Sequence, residues 1–230
     1  MHIEKSSILE FLAVWPLPTL AVGVLLWAVM QRPWQVLQRE PIQHAWLGSL
    51  VLLTLLWSAR ATVGHDVVIQ LTGATLAVTM FGLPLALISL ALANVVSLLG
   101  LAYLSGQAWP DIGWVALAPR FIWMAAVPAL VTAALQAVLR RRLPRHLFVF
   151  ILGHGYFAAL LASMVAGGLR VAWLVQTSAP GGAGLSVADR LTGVVIMAFG
   201  DAFLTGMLVA IFVVFRPHWV LTFNGREYLA

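Results

Sequence analysis

The chain has 230 residues, of which 62% are hydrophobic and 9% charged. With a mean hydropathy of +0.97 there is too little polar material to cover a water-facing surface, which excludes a soluble domain and reads as one integral membrane domain over 1–230. Thirteen Lys and Arg against eight Asp and Glu give a net charge of +5, which in such a chain reads as basic cytoplasmic loops rather than a nucleic-acid surface.

Seven apolar stretches follow one another, and the expected fold class is all-α, a polytopic membrane helix bundle. The first covers 8–30, interrupted by Pro16 and Pro18, with no clear cleavage site, so it is expected to be retained. The second, 45–59, is short. Residues 67–104 are too long for one crossing of about 20 residues. They divide at Gly82-Leu83-Pro84, where proline cannot continue the preceding helix. The remaining segments are 114–139, 147–176 and 190–215, the last two separated by a Gly- and Pro-rich linker at 177–188. Helices are expected throughout, because lipid offers no partner to an unpaired backbone group.

The basic residues order these segments. Arg32 and Arg39 follow the first, Arg140, Arg141, Arg142 and Arg145 the fifth, and Arg216 and Arg226 the seventh. With seven spans all of these fall on one side, against Lys5, Arg60 and Arg190 on the other. That asymmetry predicts an outside N-terminus and an inside C-terminus.

The N-terminus carries the first candidate chemistry. Met1 precedes the large residue His2 and is expected to be kept. The amine, one peptide nitrogen and the imidazole can then form fused chelate rings around a metal ion, square-planar if the amide deprotonates, as Ni(II) and Cu(II) prefer. Read by itself, His2 is more simply a polar residue at a chain start.

Four stretches, in order, resemble one family. They are "MHI" before an apolar segment, "QLTGATLAVTMFG" at 70–82, "DIGWVALAPRFIWM" at 111–124 and "GDAFLTGMLV" at 200–209. They resemble the CbiM/NikM family, the substrate-binding membrane subunits of energy-coupling-factor transporters for cobalt and nickel. The resemblance implies capture of a divalent transition metal ion (Co, Ni or Cu) as substrate, with no organic cofactor. It also implies a coupling membrane subunit and ATPase subunits as separate chains, in a bacterial inner membrane.

The implied metal-binding set is Met1, His2 and one of His65, Asp66 and Gln70. Gln70 stands where the family has a histidine, and Arg120 where it has a site-framing asparagine. Asp111 or Asp201 would have to neutralise that arginine. The departures define the alternative, a membrane scaffold or assembly protein that keeps the fold with metal binding lost or altered.

Other intramembrane polar residues are expected to face the protein interior. Asp201 and His154 fall at similar depths when counted from their segment ends, and are expected to form a hydrogen-bonded pair. Glu10 is a minor candidate near the outer surface. Cysteine is absent, and there is no nucleotide-binding loop, HExxH or GxSxG, so an enzyme is not expected. Bis-imidazole haem would need a second intramembrane histidine beside His154.

Overall fold

The computed structural model describes residues 16–59, 61–63, 67–109, 112–177 and 186–228. They form a helical bundle with one small β-hairpin. Helix α1 covers Pro16–Met30 and α2 Glu40–Ser58. Strands β1 (Ala61–Val63) and β2 (Val67–Ile69) pair antiparallel, with Thr62 opposite Val68. Helix α3 (Ala74–Phe81) is followed after one residue by α4 (Leu83–Leu104). Three long helices complete the bundle: α5 (Trp114–Arg142), α6 (Val149–Thr177) and α7 (Val187–Phe215). A last turn, α8, covers Gly225–Tyr228.

Four helices, α4 to α7, are long and apolar enough to cross a membrane, and α2 with 19 residues approaches that length. Of the seven expected segments, the fourth to seventh are these long helices and the second is α2; the first is described only over the 15 residues of α1, and the third differs. Its first part, 67–69, is strand, and α3 has 8 residues. At 1.5 Å per residue it rises about 12 Å, well short of a hydrocarbon core of about 30 Å. The β-branched run "VVI" pairs with "ATV" across the hairpin, and helix starts only after Gly73. What the segment makes is a half-helix buried along its whole length, every residue from Ala74 to Phe81 being inaccessible.

Hydrogen bonds fix the directions. Thr75 bonds Thr132 (2.7 Å) and Thr79 accepts from Gln136 (2.7 Å), the same sequence offset of 57 in both cases. Helices α3 and α5 are therefore parallel. Helices α6 and α7 are antiparallel: Ser163 bonds Asp201, Gly167 faces Val194 and Gly155 faces Val209. A Cβ at Gly167 would come within 2.5 Å of Val194 Cγ1, so the two backbones approach as closely as they do only because that side chain is missing.

The surface is inverted relative to a soluble protein. Helix α7 turns Phe199, Phe203, Ile211 and Val214 outward and Ala198, Asp201, Thr205 and Gly206 inward. Helix α5 carries a π-helical stretch at Ile122–Ala126 just before Pro128. A proline clashes with the carbonyl four residues earlier, here Met124, and the wider turn relieves that clash.

Gly82 makes the break between α3 and α4. Its φ of 77° and ψ of 166° belong to a region essentially reserved for glycine. Gly82→Ala is expected to destabilise the protein by about 1–3 kcal/mol, although a Cβ there would meet no atom within 4 Å. Chemical unfolding in detergent micelles measures this, and an unchanged midpoint would show that the break does not depend on glycine.

Candidate functional site

Two polar clusters lie side by side, one at the last turn of α2 and one where the start of α3 meets the middle of α7. The first gathers around Trp57, a fully buried residue in the last turn of α2. Carbonyls in a last helical turn have no partner within the helix. The Trp57 carbonyl accepts from Gln70 Nε2 at 3.1 Å and from Arg120 Nη2 at 2.8 Å. The Arg120 guanidinium also stands 5.1 Å from the Trp57 ring, a cation–π distance. Trp57 in turn donates from its indole to the Thr72 carbonyl at 2.8 Å. A cation at a helix C-terminus is favoured by the peptide dipoles, so Arg120 is well matched to this position.

The second cluster is built on Asp201. One carboxylate oxygen accepts from the Thr72 backbone N–H at 2.9 Å and, more weakly, from Gly73 N–H at 3.4 Å. The other accepts from the Thr72 hydroxyl at 2.8 Å and the Ser163 hydroxyl at 2.9 Å. The carboxylate thus closes the N-terminus of the half-helix α3, where donors are free and the helix dipole favours negative charge. Four bonds match the roughly four acceptor positions of a carboxylate.

A third group of polar residues continues along α3. The Thr75–Thr132 and Thr79–Gln136 bonds lead to His154, whose carbonyl accepts from Gln136 Nε2 at 3.1 Å. His154 lies in a π-helical stretch, Val149–Phe157. Its ring stacks on Phe150 with centroids 5.1 Å apart, and its buried Nδ1 has no hydrogen-bond partner among the described residues.

The candidates from the sequence fare differently. Met1, His2, Glu10, His65, Asp66 and Asp111 lie outside the described residues. Gln70 and Arg120, fifty positions apart, are brought together on one carbonyl. Asp201 and His154 do not form the expected pair. Gly155 packs against Gly206 and Val209, which puts His154 level with α7 about seven residues beyond Asp201, or about 10 Å along the axis. The depth estimate counted from apolar boundaries, whereas α7 begins at Val187 and α6 is locally wound with wider turns.

Trp57, Thr72 and Ser163 went unrecognised, and nothing in their sequence surroundings marks them. Among the described residues no group of three or more His, Asp or Glu is disposed to hold a metal ion. Compared with protein-family models, curated proteins and solved structures, the chain matches none.

Two substitutions separate the roles of the buried titratable residues. Asp201→Asn places a donor where four donors converge, and is expected to cost about 2 kcal/mol or more of stability. His154→Phe keeps the stack on Phe150 and the backbone bonds, and is expected to change stability by less than about 1 kcal/mol. Thermal unfolding of both variants in one detergent decides it; equal losses would overturn the assignment of Asp201 as the clamp.

Proposed function

We propose that this chain is the membrane subunit of a transition-metal ion uptake transporter of the energy-coupling-factor class, taking Co, Ni or Cu as substrate. Supporting this reading is the meeting of Gln70 and Arg120 on the Trp57 carbonyl. The resemblance to the CbiM/NikM family assigns these two positions to one site, and nothing in their separation along the chain requires them to touch. In this reading Met1, His2 and one of His65, Asp66 and Gln70 hold the ion. The Arg120–Trp57 pair frames it, and the coupling protein and ATPases are separate chains.

The same reading gives seven crossings, counting the half-helix α3, with the N-terminus outside and the C-terminus inside a bacterial inner membrane. It is supported by the alternating helix directions, which gather Arg32, Arg39, Arg140, Arg141, Arg142, Arg145 and Arg216 at the end opposite Trp57. The chain itself binds and releases; it carries out no covalent chemistry.

A second reading, a scaffold or assembly protein that keeps the fold with metal binding altered or lost, is favoured by one specific observation. Gln70 and Arg120 both donate to the last turn of α2, which is a helix-capping role, and the guanidinium already supplies positive charge there. A divalent cation beside it is disfavoured electrostatically.

Calorimetry with Ni(II), Co(II) and Cu(II) on the purified protein separates the two. The transport reading expects binding that weakens by about a hundredfold or more in His2→Ala, or when an extension blocks the amine, because tridentate chelation collapses to isolated donors. Unchanged affinity in both variants would remove the N-terminal chelate. Failure of the wild type to bind any of the three ions, with retention in a membrane complex, would favour the scaffold.

A further inference from the structure

At the end of the bundle where α7 finishes, the chain turns back across α3. In a continuous helix the Met80 carbonyl would accept from the N–H of residue 84, but Pro84 has none. The Leu221 N–H takes that place at 2.8 Å, and the Thr222 hydroxyl bonds the Thr79 carbonyl beside it. The break at Gly82 therefore leaves two carbonyls whose partners come from a different part of the chain.

Apolar side chains seat the same segment. Val220, Phe223 and Tyr228 are buried, and the Phe223 and Tyr228 rings stand edge-on to Phe150, with centroids 5.0 and 5.1 Å away. Phe150 stacks in turn on His154, whose carbonyl accepts from Gln136 and whose buried Nδ1 has no partner among the described residues. Residues 220–228 thus close the end of the polar row, one ring contact away from the imidazole.

The other flank of the segment is open. A groove of about 480 Å³ is lined by Gln35, Arg39, Phe81, Gly82, Leu221 and Thr222. Leu221 and Thr222, the two residues that bond α3, belong to that lining. Water in the groove can replace both of their bonds when the segment lifts, so opening leaves no carbonyl unpaired. The start of α3 is different, because four bonds to one carboxylate hold it there.

We propose that residues 220–228 are a gate. They seal the polar row in this structure, and they lift away from α3 to open Thr79 and His154 to water on the side where α7 ends. In the open state water reaches the Nδ1 that nothing partners in the closed one. The gate deepens the transport reading and rests on it for its purpose, since a captured ion needs a way out on that side. Its test is read without metal, so either can fail alone.

The chain has no cysteine, so one introduced thiol gives the whole signal. The reporter is Thr79→Cys in the full-length protein in bilayer vesicles. A membrane-impermeant methanethiosulfonate is added on the side from which Arg141→Cys, at an exposed position, is labelled. With the segment intact, labelling of the reporter is expected to be slow but complete in time. Adding Thr222→Val and Phe223→Ala is expected to speed it about tenfold or more, because a hydrogen bond and a buried ring no longer hold the segment down. A reporter that stays unlabelled in both backgrounds, or that reacts equally fast in both, would overturn the gate.

Should a variant fail to fold, hydrogen exchange on the unmodified protein decides. The Leu221 amide is expected to exchange about a hundredfold or more faster than that of Thr132 in the middle of α5, because a gate opens without global unfolding. Equal protection of the two amides would make the segment a fixed part of the core and overturn the proposal.

Discussion

A helix that stops inside an apolar medium must find partners for the donors at its start, and α3 begins in the interior of the bundle. The N–H groups of Thr72 and Gly73 find theirs in the carboxylate of Asp201. An ionised carboxylate buried alone would be expensive, yet here it meets two backbone and two hydroxyl donors at the positive end of a helix dipole. Each group removes the other's cost. Because Asp201 sits on α7 and Ser163 on α6, the same bonds also set where the two long helices stand relative to the loop at 70–73. The rest of the core depends on that fixed point.

From there the polar residues descend α3 at helical spacing. Thr72, Thr75 and Thr79 recur at intervals of three and four, which lays them along one face. Thr132 and Gln136, four apart on the parallel helix α5, meet them in register. At the far end the C-terminal segment closes the row: the Leu221 N–H donates to the Met80 carbonyl at 2.8 Å and the Thr222 hydroxyl to the Thr79 carbonyl. The half-helix is thus held at its start by a carboxylate and at its end by donors from another part of the chain. Packing in lipid gains little from burying apolar groups, so hydrogen bonds and close backbone approach have to supply the specificity. Gly167 against Val194 is the second of these devices.

Much of this architecture was legible in the sequence, and the reasons for the exceptions are physical. Hydropathy marks apolar stretches, and the four long helices α4 to α7 fall where it placed them. Gly82-Leu83-Pro84 announces a break through backbone chemistry that no neighbour can override. The half-helix was hidden because an apolar run of the right length reads the same whether it continues as helix or turns back as strand, and "VVIQLTG" does the latter before α3 starts. The Asp201–His154 pair failed for a related reason. Depth counted from a hydrophobic boundary carries an error of several residues, and two groups at equal depth still need to face each other. Asp201 instead found backbone donors, which have no side-chain signature at all. Trp57 is the clearest case, since what matters about it at the candidate site includes its carbonyl oxygen.

The electrostatic character of the Trp57 end bears on any substrate the protein takes. Arg120 is held against the final turn of α2, while the carboxylate of Asp201 is taken up by its own bonds to Thr72, Gly73 and Ser163. A free divalent cation approaching this interior would meet repulsion undiminished by high dielectric. In the proposed transport reading, an ion held by an amine, a deprotonated amide and an imidazole would present less charge to this cationic neighbour. Under the proposed transport reading, Arg120 therefore favours an ion whose charge its own ligands have already reduced over a free divalent cation.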